Sequence, residues 1–267
     1  MRFKFAILLL LVSIAVLPAH AQEALPGAGT PHSITFDGFS FSYDAALAAN
    51  LNILHYPGDP VEGSGAGFSD AANTIFNLYN TWPAPESPLE AQVGIRIYAV
   101  SDLAQYDFMQ AVVDELEGFV TERPDLSAYE TNTAADAPAL PYLPILLHGQ
   151  MLRTRAAYVE TEQVRGISYL VTSPTLAAIE PFTSTSFRFV FQGISTDGQY
   201  YVSLIAQIAT PLFPAENTSA ELEDLSQNWE AILQESAVTL DEAQSTDFAP
   251  SLDAFNQLIS SFAFVGR

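Results

Sequence analysis

Apolar and polar residues alternate along much of the chain, and the alternation changes period in a way that separates strands from helices. Val93, Ile95 and Ile97 alternate with Gly94, Arg96 and Tyr98, the two-residue period of a strand. Ser33–Phe36 and Phe39–Tyr43 flank Asp37-Gly38, a dipeptide suited to positive φ, and together they predict a β-hairpin. Residues 74–82 read as a strand stopped by Pro83. Gln150–Glu160, Gly166–Thr172, Ser186–Ile194 and Gln199–Ala209 read as four more. Ser195-Thr196-Asp197-Gly198 joins the last two in the clearest hairpin of the chain.

Helical spacing appears in three places. From Ser101, Met109, Val112, Val113, Leu116, Phe119 and Val120 fall on one face, and Pro124 ends the run. Thr218 and Glu221 have capping-box spacing ahead of a stripe of Leu222, Leu225, Trp229, Ile232, Leu233 and Leu240. Pro250 opens a last helix carrying Leu252, Phe255, Leu258 and Ile259. Ala45–Leu51 is expected to form one or two further helical turns. Pro57–Phe68, with four glycines, and Thr131–Pro144 read as long surface loops. Neighbouring strands joined by hairpins predict an α+β fold: a mainly antiparallel sheet with helices packed on it, in one domain over residues 22–267.

The first residues follow a different pattern. Arg2 and Lys4 precede a run from Phe5 to Leu17 that is apolar except for Ser13; Pro18 follows, then Ala19-His20-Ala21. That is the three-part pattern of a signal peptide over residues 1–21, with cleavage expected between Ala21 and Gln22. The run is short of the ~20 apolar residues that cross a bilayer, and no later segment reaches that length. The expected product is secreted or periplasmic, with no transmembrane segment.

Charge then narrows the function classes. The 267 residues carry 31 acids against nine bases, a net charge of −22. Without the first 21 residues the bases are seven arginines, no lysine remains, and the net charge is −24. Such a chain repels nucleic acid, and its 49% hydrophobic content is far above the disordered range. With no cysteine, disulfides and thiolate metal sites are impossible. The acid excess with arginine as the only base also suits a saline exterior, in which case added NaCl should raise the melting temperature.

Candidate chemistry is sparse. His32, His55 and His148 lie far apart and outside any metal-binding spacing. Gly63-Ser64-Gly65-Ala66-Gly67 lacks the lysine and spacing of a phosphate loop. No Gly-x-Ser-x-Gly elbow or calcium loop is present. Neither a metal site nor a cofactor is therefore expected. Asn217-Thr218-Ser219 is a glycosylation sequon by pattern.

The arginines are better ordered. Six of the seven fall between Arg96 and Arg188. Arg96, Arg153, Arg155 and Arg188 sit on expected strands, where the two-residue period puts Arg153 and Arg155 on one face. Phe187, Phe189 and Phe191 then point away from Arg188 and Gln192, giving one aromatic sheet face and one mixed polar face. Two fates follow for the arginines: pairing with surplus carboxylates, or an anion-binding site of Arg153, Arg155 and Arg188, since a guanidinium fork suits carboxylates and phosphates. The expected function is a non-enzymatic binding or envelope-associated module for a protein or a small anion. The alternative is a hydrolase or lyase using carboxylates with His148 or His55.

Phe39-Ser-Phe-Ser-Tyr-Asp44, Phe191-Gln-Gly193 with Asp197–Val202, and the closing Leu258–Phe262 resemble a group of exported bacterial proteins without assigned function. The opening hairpin and the closing segment are also similar to the PsbP-like lumenal subunits of photosystem II. That resemblance implies an α/β/α sandwich around an antiparallel sheet, and it carries over no functional residue.

Overall fold

A computed structural model describes residues 31–81, 91–130, 139–145, 150–172 and 181–264, with the side chains of 219–227 left aside. The expected cleavage site, His148, Arg267 and the Glu221 half of the capping box lie outside this description.

Seven strands form one antiparallel sheet: β3 (Asn50–Tyr56), β4 (Asn73–Tyr79), β5 (Val93–Ala99), β6 (Arg153–Glu160), β7 (Val164–Thr172), β8 (Phe187–Ser195) and β9 (Tyr200–Gln207). Their order is β3-β4-β5-β9-β8-β7-β6. A smaller sheet joins β1 (Pro31–Phe36), β2 (Phe39–Asp44) and the short β10 (Ala263–Phe264), with β2 in the middle. The helices are α1 (Val100–Leu103), α2 (Asp107–Glu122), α3 (Ser219–Glu242) and α4 (Leu252–Ser260). This is an α+β fold of antiparallel sheets with helices packed on them.

Alternation decides what each face of the large sheet touches. Phe187, Phe189 and Phe191 join Phe76, Ile95 and Leu204 in a core with Leu233 and Leu240 of α3, Phe255 and Ile259 of α4, and Phe39 and Phe41 of the small sheet. The opposite face supplies Tyr98, Ile167, Tyr169, Val190 and Tyr201 to a second core with Met109, Val113, Leu116 and Phe119 of α2. The four α2 residues repeat at helical spacing, so one stripe covers the sheet. Arg123 then closes α2 in the left-handed conformation, φ 51°, immediately before Pro124.

Two elements differ from expectation. The helical run from Ser101 breaks at Ala104–Tyr106 into α1 and α2. Ala45–Leu51 does not form a helix. The Asp44 carboxylate accepts from the Ala46 N–H, a turn follows, and the chain enters β3 at Asn50. A helix of one or two turns is marginal by itself, whereas β3 pairs with β4 over its full seven residues.

Candidate functional site

Residues opposite one another in an antiparallel ladder share a face, so the strand register shows which polar side chains meet. On the α2 side, Ile75, Arg96, Ser203, Gln192 and Ile167 form one cross-strand row. Asn77, Gly94, Ile205, Val190 and Tyr169 form the next. Gln207, Arg188, Val171 and Arg153 form a third. Burying such rows requires partners for each polar group.

Gln192 and Ser203 find theirs in the segment 139–145 that crosses over them. The Leu143 N–H donates to Gln192 Oε1 at 2.9 Å, and Ser203 Oγ donates to the Leu143 carbonyl. Tyr201 donates to Gln192 Oε1 at 2.7 Å, and Tyr169 donates to the Pro141 carbonyl at 2.9 Å. This backbone lid carries Tyr142, whose phenol burial pushes up to about 12, with Arg188 and Arg96 pulling the other way. The phenol is therefore a neutral donor within electrostatic reach of both guanidiniums.

The three arginines expected to form an anion site do not converge. Arg153 is fully buried; its guanidinium donates to the Tyr129 and Gln150 carbonyls, the latter at 3.0 Å. Arg155 goes to the other layer, because a bulge interrupts β6 between Thr154 and Ala157 and Arg155 adopts φ 54°. One skipped residue reverses the facing of a side chain, so Arg153 and Arg155 do not share a face. Arg155 Nη1 donates to the carbonyls of Leu240, Asp241 and Ala243 at 2.8–3.0 Å. It thus caps the negative end of α3. A cleft of about 530 Å³ lies beside it, lined by Asp241 and Asp253 but by neither Arg153 nor Arg188.

Arg188 keeps its expected face and gains a different companion. Arg96 lies on β5, one strand beyond β9, and the two are offset by four residues along β9, from Ser203 to Gln207. Between them stand Gly94, which has no side chain, and Ile205. Arg96 is only 5% exposed, and its Nε has no hydrogen-bond partner. The neighbouring Asn77 is buried with an unpartnered Oδ1. Burial pulls the Arg188 pKa down, and Tyr142 offsets part of that effect.

No carboxylate among the described residues comes within ion-pairing distance of Arg96 or Arg188. The one described ion pair is Arg123 with Glu160, 3.3 Å apart and exposed. Asp70 interacts electrostatically with Arg96. Burial raises its pKa, Arg96 lowers it, and Tyr98 and Asn73 donate to its Oδ2. Among the described residues, pairing with surplus acid, the other expected fate, thus accounts for neither guanidinium.

The chain matches no protein-family model, no curated protein and no solved structure. The site must be judged on its own chemistry. Two guanidiniums and a neutral phenol on one face can hold an oxyanion or a carboxylate. Sequence alternation found Arg188 and its face. It could not find the partnership with Arg96, which is set by the register of β9 between them. Of the histidines, His32 packs 5.2 Å from the Tyr43 ring, and His55 lies on the edge strand β3, on the opposite face from Arg96.

Proposed function

We propose that this protein is an exported, non-enzymatic binding module that takes a small anionic ligand on the sheet face of Arg96 and Arg188. The observation that carries the reading is a buried Arg96 and a half-buried Arg188 with no carboxylate among the described residues within ion-pairing distance, in a chain where acids outnumber bases 31 to nine. A buried ion left without a partner costs several kcal/mol. A chain with so many carboxylates had ample means to neutralise these cations, and a ligand anion would do so instead. Export rests on the signal-peptide pattern of residues 1–21. A hydrolytic reading would draw on His55 beside Asp37 and Asp102.

The test is titration calorimetry with acetate, benzoate and inorganic phosphate at constant ionic strength. At least one should bind saturably, and Arg96→Met and Arg188→Met should each weaken it about tenfold or more. Equal binding by the variants, or none by the wild type, would refute the reading.

A further inference from the structure

On the sheet face opposite Arg96 and Arg188, where the β1–β2 turn meets α1, lies a cavity with the reverse chemistry. Its volume is about 120 Å³, and Phe36, Phe76 and Tyr200 supply much of its wall. Asp37 and Asp102 supply two carboxylates, and His55 a ring nitrogen. No arginine lines it.

Three elements distant in sequence build this arrangement. Asp37 is fixed at the hairpin turn at φ 47°, with Gly38 at φ 75°. Asp102 sits in the first turn of α1. Phe76 and Tyr200 project from the aromatic face of the sheet. Phe36 meets Phe76 edge-on, with centroids 6.2 Å apart and planes at 80°. Tyr200 is stacked on Phe264 at 4.8 Å and also lines the cavity. Phe36 stays 43% exposed at the rim, an apolar surface that an occupant would cover.

We propose that this cavity binds a small organic cation, an ammonium group on a compact apolar body. Aromatic faces attract cations through the ring quadrupole, and the carboxylates complete the recognition as counter-charges. A cavity near 150 Å³ accepts a benzene-sized body, so the occupant has about six or seven non-hydrogen atoms. The negative field of the whole chain concentrates cations around it. The inference is independent of the Arg96–Arg188 site, which lies on the other face.

Choline and its neutral isostere 3,3-dimethylbutan-1-ol provide the test, followed by NMR titration of the full chain. Choline should saturate the shifts of the Phe36 and Tyr200 rings at about 10 mM or below, with the isostere about tenfold weaker. Asp102→Asn should weaken choline about threefold or more while leaving the isostere unchanged. Arg188→Met should leave choline binding intact. Tyr200→Leu gives a second loss if that variant keeps the wild-type spectrum. Equal affinity for choline and the isostere would reduce the cavity to an apolar hole and overturn the proposal. So would the absence of saturable shifts up to about 50 mM choline, or undiminished choline binding by Asp102→Asn.

Discussion

The two faces of the seven-stranded sheet are both buried, but by unlike means. On one, Phe189 stacks on Phe255 at 4.7 Å and 14°, and Phe39 and Phe41 of the small sheet close over Phe76 at 5.3–5.6 Å. Shape alone positions these groups, and whole helices serve as the cover. On the other, Gln192, Ser203 and Tyr169 need hydrogen bonds, and what covers them is the backbone of residues 141–143. Where that cover ends, Arg96 and Asn77 keep unsatisfied atoms. An apolar face can be closed by any well-fitting surface, whereas a polar face is complete only when each group has a partner.

Truncation on the aromatic face should have the largest effect. Phe255→Ala removes a fully buried ring and should cost about 3–5 kcal/mol in urea unfolding. On the polar face, Arg153→Met should cost about 2–4 kcal/mol, because the Tyr129 and Gln150 carbonyls lose their donor. A loss below about 0.5 kcal/mol would erase the distinction drawn between bonded and unbonded arginines.

At the bulge, Arg155→Ala should cost about 1–2 kcal/mol by uncapping α3. Arg155→Gly should cost about 0.5–1 kcal/mol less than Arg155→Ala, since glycine accepts positive φ freely. The reverse order would mean that β6 does not hold this bulge in solution.

A finer probe is Asp70. Burial raises its pKa above the ordinary value and Arg96 lowers it. A carboxyl with a raised folded pKa contributes stability that is complete below its unfolded pKa and lost as pH rises through the folded one. Arg96→Met should raise the Asp70 pKa further in a carboxyl-carbon NMR titration, and so extend that decline to higher pH. An unchanged pKa would show that the two groups do not interact.

Much of this architecture was legible in the sequence, for a physical reason. Alternation is local, so Phe187, Phe189 and Phe191 declared one face and Arg188 and Gln192 the other, and the α2 stripe declared its own. The bulge at Arg155 was not legible, because a strand's pleat is read by counting and one skipped residue upsets the count. Nor was β3, whose edge position depends on pairing with β4 residues 17 to 29 positions further along the chain. Arg96 and Arg188 come to share a face only through β9, and no local pattern carries that register.

Among the described residues, no carboxylate lies within ion-pairing distance of Arg96 or Arg188, and the anion site depends on this holding in solution. Equilibrium urea unfolding of the Arg96→Met/Arg188→Met double variant, in chloride buffer alone, tests it most directly. Replacing buried charges that lack protein partners by apolar side chains of similar length should leave stability unchanged or raise it by about 1–4 kcal/mol. A loss of about 3–5 kcal/mol, the cost of breaking a buried pair, would show that carboxylates of this chain already satisfy these arginines, and the ligand site would fall with it.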